Sequence, residues 1–180
     1  LYHNLGGLDH SRGRYAKGAA TARKGLALRV ATLGPTHLDV AADRAALAAL
    51  LEGAGRLDEA EALYRQALAV FRRRLGSVHY EVAVNLHNLA ALRQARGDLR
   101  GAERLYAEAL SMKRRVCGPR HLDVGLTLNN LALLQRDLGK ALEARRTARE
   151  AVRLLDRALG RSHPHARTAR ANLASLSAKD

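Results

Sequence analysis

The eight residues LGPTHLDV at positions 33–40 occur in related form four times in this chain of 180 residues. They return as LGSVHYEV from Leu75, as CGPRHLDV from Cys117 and, in a more divergent form, as LGRSHPHA from Leu159. Successive copies begin 42 residues apart, with no insertion or deletion between them. A period of about 20 to 50 residues is typical of solenoids, propellers and repeat arrays. The segments between the copies therefore decide the fold.

Apolar residues in those segments follow the helical spacing of three and four. In the unit that follows the second copy, one set is Val82, Leu86, Leu89, Ala90 and Leu92, and the next is Leu99, Ala102, Leu105, Tyr106, Ala109 and Leu110. Between the two sets lies Gly97, which aligns with Gly13, Gly55 and Gly139. Glycine adopts the left-handed conformation that ends one helix and turns into the next. Each unit is therefore predicted to be an antiparallel helix pair.

The repeated motif itself is predicted to join one helix pair to the next. Gly34, Gly76, Gly118 and Gly160 follow directly on the second helix of each unit. Arginines 72–74 precede one of these glycines, and positive charge is favourable at a helix C-terminus. Asp39, Glu81 and Asp123 fall in the first turn of the next helix, where negative charge is favourable.

Composition supports an all-helical chain and excludes several classes of protein. Nearly half of the residues, 47%, are hydrophobic, but only 3% are aromatic and three are proline, which favours helices over a β-sandwich. Cys117 is the only cysteine, so no disulfide can form within the chain, and its alignment with leucines predicts a buried thiol. No apolar run approaches the roughly 20 residues of a membrane span. A reducing, cytoplasmic location is expected.

These features together resemble the tetratricopeptide repeat. Leu86, Leu89, Ala90, Gly97 and Tyr106 show its spacing. The unit of 42 residues, with its LG-x-x-H-x-[DE]-V junction, resembles the longer repeats of kinesin light chains and nephrocystin-like proteins. The resemblance implies an all-α, right-handed superhelical solenoid of stacked antiparallel helix pairs. The expected boundaries are a partial repeat over 1–34, full repeats over 35–76, 77–118 and 119–160, and a capping or half-repeat helix over 161–180.

The first residue aligns with positions inside the first helix of later units. Leu1 corresponds to Asp43, Asn85 and Thr127. We therefore expect the chain to be part of a longer regulatory protein.

Four histidines also recur with the 42-residue period: His37, His79, His121 and His163. Zinc ligands must converge on one ion, whereas equivalent positions in stacked repeats lie side by side. A structural role at the helix start is therefore favoured over a metal site. No sequence motif for a catalytic nucleophile, a metalloprotease helix or a phosphate-binding loop is found. The sequence predicts neither a cofactor nor an enzyme.

The resemblance also implies where a ligand binds, because the first helix of each unit lines the concave groove in this family. Asparagines recur there at Asn4, Asn88, Asn130 and Asn172, interrupted by Ala46. The predicted peptide-binding residues are Asn88, Asn130, Asn172, His87, Asn129 and Asn4. An amide pairs a donor with an acceptor and suits the backbone of an extended peptide. The alternative is that these amides hydrogen-bond between neighbouring helices.

Other groove positions predict the chemistry of that surface. Val84, Leu126 and Leu133 offer apolar contact to a bound segment. One turn further on, the set Glu52, Gln94 and Arg136 makes the groove close to neutral overall. This departs from kinesin light chains, whose grooves use basic residues for acidic peptides, so that specificity is not carried over.

The formal net charge of +14 lies mostly on the second helices and junctions. It includes Arg65, Arg72 to Arg74, Arg100, Arg104, Lys113 to Arg115, Arg145, Arg146, Arg149, Arg153 and Arg157. Single-strand binders interleave such residues with stacking aromatics, whereas Tyr64 and Tyr106 occupy core positions here. We therefore expect a protein-protein interaction scaffold that binds a partner's peptide segment, and nucleic-acid or polyanion binding through these arginines is the alternative.

Overall fold

A computed structural model describes residues 14–177, and these residues form eight α-helices and no strand. The second helices of successive repeats are α1 (Tyr15–Leu33), α3 (Leu57–Leu75), α5 (Leu99–Cys117) and α7 (Ala141–Leu159). The first helices are α2 (Leu38–Gly53), α4 (Tyr80–Ala95), α6 (Leu122–Asp137) and α8 (Pro164–Ser177). Each second helix has 19 residues, and α2, α4 and α6 have 16. The prediction of helix pairs is confirmed throughout the described part of the chain.

The chain divides into two compact units, Leu1–Leu92 and Arg93–Asp180, which are described separately. In the first unit, α2 packs against α1 and α3, and large buried side chains such as Leu51, Tyr64 and Phe71 fill the space between small ones. In the second unit, α6 packs against α5 and α7, and α8 packs on α7. Alanines at 144, 148, 166 and 169 lie in its apolar clusters with Leu155 and Leu176. Small residues at these contacts let helix backbones approach closely.

The turn inside each helix pair is fixed by a glycine. Gly55 has φ +76° and donates its N–H to the carbonyl of Glu52 (2.9 Å), while Arg56 donates to Leu51 (2.8 Å). This pair of hydrogen bonds is the Schellman motif, in which the glycine at C′ satisfies carbonyls that the helix leaves open. The same two bonds recur around Gly97 and around Gly139. The predicted turn glycines therefore end α2, α4 and α6.

The junction between helix pairs uses a different backbone conformation. Gly118 has φ 89° and ψ 153°, and the other three junction glycines lie close to these values. That region is essentially restricted to glycine. The carbonyl of Gly118 then accepts from the N–H of His121 (3.3 Å), which closes a turn with Pro119 at its second position.

Each junction ends at a histidine that caps the next helix. Nδ1 of His37, His79, His121 and His163 accepts a backbone N–H two residues ahead, at 3.2 Å in every case. An N-cap side chain satisfies one of the open N–H groups of the first turn. The structural role expected for the four histidines is therefore confirmed, and the acidic first turns of α2, α4 and α6 are also as predicted.

Polar pairs that include at least one buried side chain cross two of the junctions, and the two pairs differ in chemistry. Arg29 on α1 forms an ion pair with the buried Asp43 on α2, at 3.0 Å. Lys113 on α5 and Thr127 on α6 are the equivalent residues 84 positions later in the sequence. Nζ of Lys113 donates to Oγ1 of Thr127 (3.0 Å). Leu155 on α7 occupies the next equivalent position and packs in a wholly apolar cluster.

Lys113 and Cys117 correct two expectations about burial. We expected Lys113 among the solvated basic residues of the second helices, but only 4% of its surface is exposed. Burial lowers the pKa of this ammonium group, and the nearby Asp123 opposes the effect. The aliphatic stem of this lysine packs in the core while its ammonium group donates to Thr127. The spacing of apolar residues in the sequence does not predict this arrangement. Cys117, expected to be buried, is half-buried because it ends its helix. The other expected basic positions are exposed or half-buried.

The conformation of Gly118 predicts the effect of adding a side chain there. A Cβ at this position would contact nothing within 4 Å, so its cost is conformational. We expect Gly118→Ala to lower the free energy of unfolding by about 1 to 3 kcal/mol, measured by urea denaturation. Arg120→Ala, at an exposed position in the same junction, should change it by less than about 0.5 kcal/mol. Equal effects of the two substitutions would contradict this account.

The histidine caps give a second prediction about stability. His121→Ala should lower the free energy of unfolding by about 1 kcal/mol, because the N–H of Asp123 loses its partner. His121→Asp should recover most of the loss, since a carboxylate is a strong N-cap. Thermal denaturation of the three proteins measures both effects, and a failure of aspartate to recover stability would show that the imidazole ring acts through packing instead.

Candidate functional site

The predicted site residues lie on three of the first helices and are half-buried. His87 and Asn88 are on α4 in the first unit, Asn129 and Asn130 are on α6, and Asn172 is on α8 in the second unit. Asn4 lies outside the described residues. Half-buried amides and imidazoles on one set of helices can reach a ligand while their stems stay packed.

The first unit contains an open cavity of about 410 Å³ around two of these residues. Its walls come from all four helices of that unit: Tyr15, Ala49, Glu52, Gly53, Tyr64, His87, Asn88 and Ala91. A cavity of this size, at the lower end of the range for ligand sites, accommodates one side chain or small group. Alignment of the repeats predicts His87 and Asn88 as site residues. The cavity shows that residues of α1 and α3 line the same site.

Tyr15 and Gly53 form one wall through a close contact. A Cβ built on Gly53 would lie 2.5 to 2.7 Å from three atoms of the Tyr15 ring, closer than any real side chain permits. The aromatic ring therefore lies directly on the glycine backbone. The absence of a side chain at Gly53 makes room for this aromatic ring at the edge of the cavity.

Glu52 and Tyr64 provide polar groups in the lining of the cavity. The hydroxyl of Tyr64 donates to Oε2 of Glu52 at 3.3 Å, and Tyr64 is otherwise buried, with 1% of its surface exposed. Burial raises the pKa of Glu52, and the hydrogen bond from Tyr64 offsets part of that rise. The pKa of Tyr64 is also raised, chiefly by burial and then by the neighbouring carboxylate. The expected core position of Tyr64 is correct, but its hydroxyl also reaches the cavity.

Asn88 differs from the other amides in its hydrogen bonding. Within residues 14–177 its side chain makes no hydrogen bond, although it lines the cavity. A half-buried amide has two donors and an acceptor to offer. Asn88 is therefore able to bind a ligand's polar groups without first breaking a bond within the described structure.

In the second unit the asparagines contact one another. Nδ2 of Asn172 on α8 donates to Oδ1 of Asn129 on α6 at 3.0 Å, and a longer contact of 3.5 Å joins Asn129 to Asn130. This is the helix-to-helix arrangement that the alternative interpretation predicts for these amides. The peptide-binding role of Asn129, Asn130 and Asn172 stays a prediction, and a ligand at this point would meet amides that already have partners.

The described residues offer neither a metal-binding cluster nor a membrane span. Residues 14–177 contain no group of three or more His, Cys, Asp and Glu side chains that could hold a metal ion. His163 and His165 are neighbours, with ring centroids 5.3 Å apart, but Nδ1 of His163 is used as a helix cap. None of the helices in this part of the chain is long and apolar enough to cross a membrane.

The state of Glu52 predicts a pH-dependent stability. Because its pKa is higher in the folded protein than its ordinary value of 4.5, the stability it contributes is fully present below that value and is lost as the pH rises through the folded pKa. Glu52→Gln should therefore unfold at higher denaturant concentration than the wild type at about pH 7.5. That difference should shrink towards about pH 4, as urea titrations at the two pH values would show.

A matched control for this experiment is Glu143→Gln, which makes the same charge change at an exposed position on α7. Its free energy of unfolding should stay within about 0.5 kcal/mol of the wild type. If Glu52→Gln is destabilising at the higher pH, the desolvation argument is wrong.

The asparagine pair on α6 and α8 predicts an energetic coupling. In a double-mutant cycle, Asn129→Ala and Asn172→Ala should be coupled by about 1 kcal/mol, the usual net value of one hydrogen bond. The cycle of Asn129→Ala with Ser175→Ala should be additive, because Ser175 donates to the backbone carbonyl of Asn172 and not to Asn129. Additivity in both cycles would show that the amide pair is not formed in solution.

Comparison with known proteins agrees with this architecture. The fold is similar to two structures of a kinesin light chain-like protein with nearly identical TPR-like repeats from Podosopora anserina, one of which carries a single substitution. The substituted protein gives a TM-score of 0.80 at 22% identity, with coverage of 97% of this chain and 82% of that one. The other gives a TM-score of 0.79 at 22% identity over 97% and 83% of the two chains.

A third similar structure is BtubC (BKLC) from P. vanneervenii, with a TM-score of 0.81, 24% identity, and coverage of 96% of this chain and 68% of that one. These likenesses confirm the predicted all-α solenoid of stacked helix pairs. No curated relative matches the sequence. Residues 1–73 and 81–157 match the tetratricopeptide repeat, which is most of the chain. The chain therefore belongs to the tetratricopeptide repeat family.

Proposed function

We propose that this protein binds a peptide segment of a partner protein on the surface of its first helices. Membership of the tetratricopeptide repeat family indicates a scaffold for protein-protein interaction, and folds of this kind are generally not catalytic. The observation that carries the peptide-binding proposal is the cavity in the first unit, where the amide of Asn88 lines the wall and makes no hydrogen bond within residues 14–177. An extended peptide has unpaired N–H and C=O groups that such an amide can bind.

Each unit contributes its own residues to the proposal. In the first, Asn88 and His87 hold the backbone of the segment and Val84 gives apolar contact. In the second, Asn130 and Asn172 serve the same purpose, with Leu126 and Leu133 beside them. All of these side chains are half-buried, so they are accessible while their positions are fixed by packing.

The alternative partner is a nucleic acid or another polyanion, held by exposed arginines of the second helices. Two of those arginines are already engaged in ion pairs: Arg65 with Glu61 at 2.6 Å, and Arg114 with Glu150 at 2.9 Å. Both side chains of the Arg114–Glu150 pair are exposed, which is typical of a solvated surface. The groove proposal is therefore the stronger of the two.

An affinity purification from native lysate, divided into nuclease-treated and untreated halves, tests the proposal. The proteins compared are the wild type, Asn88→Ala/Asn130→Ala, and the control Arg100→Ala/Arg104→Ala, which changes two exposed arginines of α5. We expect a protein partner that survives nuclease and is recovered by the arginine variant. The asparagine variant should recover at least about tenfold less, because two hydrogen bonds of about 1 kcal/mol each are lost.

The opposite pattern would overturn the proposal. If recovery requires nucleic acid, is lost in the arginine variant and is unaffected by the asparagine changes, the arginine surface is the functional one. Steep weakening of binding with salt would accompany that result, since phosphate contacts release counterions.

A further inference from the structure

Within residues 14–177 Glu52 is an anionic side chain without a cationic partner, although the chain as a whole is strongly basic. Among the described residues its carboxylate accepts one hydrogen bond, from Tyr64, and no arginine, lysine or histidine nitrogen lies within 4 Å of it. Other acidic side chains in the same unit are paired: Asp43 with Arg29 at 3.0 Å, Glu59 with Arg23 at 2.8 Å, and Glu61 with Arg65 at 2.6 Å. The chain has 31 basic and 17 acidic residues, so cations are plentiful, yet none among the described residues pairs with Glu52.

Leaving a carboxylate half-buried and unpaired is unfavourable. It loses hydration without gaining the attraction of an opposite charge, and burial raises its pKa accordingly. An uncharged residue of similar size would relieve this cost. A cation that enters the open cavity beside Glu52 would offset it too.

The walls of the cavity fit a planar cation better than a compact one. The ring of Tyr15 lies on the backbone of Gly53 at one side, and alanines at positions 49 and 91 leave the space beside it open. A guanidinium group is flat, forms two parallel hydrogen bonds to a carboxylate, and stacks on aromatic faces. Asn88 adds an acceptor oxygen for its remaining N–H groups.

We propose that this cavity binds an arginine side chain of the partner's peptide segment, with its guanidinium paired to the Glu52 carboxylate and lying against Tyr15. The inference rests on the proposed function and adds the chemical class of the residue that the site selects.

The equivalent positions in later repeats do not reproduce this chemistry. Glu52 aligns with Gln94 and Arg136, and Tyr64 aligns with Tyr106 and Ala148. In the second unit Gln94 donates to Asp137 at 3.1 Å, and Arg136 is also bound to Asp137 at 2.8 Å. A carboxylate with a tyrosine hydroxyl beneath it therefore occurs in one repeat of these three, so the site would fix which residue of a bound segment is the arginine.

Matched sets of randomised decapeptides on an array test the proposal with the full chain. The sets differ at one central position, which is arginine, citrulline, lysine or glutamate, and the dissociation constants of the tightest pairs are measured by fluorescence anisotropy. Citrulline keeps the shape of arginine and removes its charge. We expect arginine peptides to bind at least about tenfold more tightly than their citrulline counterparts, because hydrogen bonds between charged groups are stronger than neutral ones. The net charge of +14 opposes basic peptides in general, so such a preference has to come from the cavity.

Variants of Glu52 locate the preference. Glu52→Gln should bind the arginine and citrulline peptides equally, and Glu52→Lys should prefer the glutamate set. The control Glu143→Gln removes one negative charge at an exposed position and should keep the tenfold preference. Tyr15→Leu leaves Glu52 in place and removes the aromatic ring against which the guanidinium group is proposed to lie, so it should lower the arginine preference. This variant tests the site even if a Glu52 variant fails to fold by circular dichroism, and an unchanged preference would overturn the proposed contact with Tyr15.

The outcomes separate this inference from the function on which it rests. If Asn88→Ala weakens every peptide set equally but the wild type has no arginine preference, peptide binding stands and the arginine site is wrong. A preference that persists in Glu52→Gln would also overturn the arginine site. If no set binds at all, both proposals are wrong.

Discussion

The structure depends on glycines that hold backbone conformations closed to other residues. Each of the helices α1 to α7 is followed by a glycine with φ between 76° and 89°. Two geometries alternate. A Schellman turn lies inside each helix pair, and each junction has a glycine with positive φ and an extended ψ. Both turns have the same number of residues in each unit, and the helices between them keep lengths of 16 and 19 residues. The strict 42-residue period follows from these stops, since an insertion would rotate the buried face of a helix away from its neighbours.

The candidate site also depends on residues with small side chains or none. Gly53 does not have a positive φ; it is a helical glycine that lets the ring of Tyr15 lie on its backbone. Small residues on neighbouring helices then leave an opening that Glu52 and Asn88 line. The site therefore combines a rigid frame of packed helices with two polar groups whose hydrogen bonding within the described structure is incomplete. Incomplete pairing is unfavourable for stability and favourable for binding, because little has to be broken before a ligand is bound.

The fold could be predicted from the sequence because its determinants are local and repeat. Gly118 and His121 are three residues apart, and their roles in ending one helix and starting the next follow from position alone. The buried faces follow from helical spacing, as the full burial of Val82, Leu86 and Leu92 shows. The interactions that the sequence leaves open or misses join residues far apart in sequence and depend on side-chain geometry. The Asn129 to Asn172 hydrogen bond, which spans 43 residues, is one of two arrangements that the sequence allows for these amides. Only the three-dimensional contacts show that no cation in the described structure reaches Glu52.

The polar pairs at two of the junctions have a consequence for how such a gene can change. Removal of 42 residues, one repeat length, would leave the junction glycines and capping histidines in their proper places. The loss of residues 34–75, however, would leave Arg29 facing Asn85 in place of Asp43, and the loss of 118–159 would set Lys113 opposite Ala169 in place of Thr127. The buried ammonium group of Lys113 would then lack its hydrogen-bond partner, at a cost of about 1 to 3 kcal/mol. Arg29, whose side chain is 36% exposed, would lose its ion pair but keep contact with water. The pairs at two junctions thus distinguish those junctions from the others, so a shortened array would keep its turns and lose a specific contact.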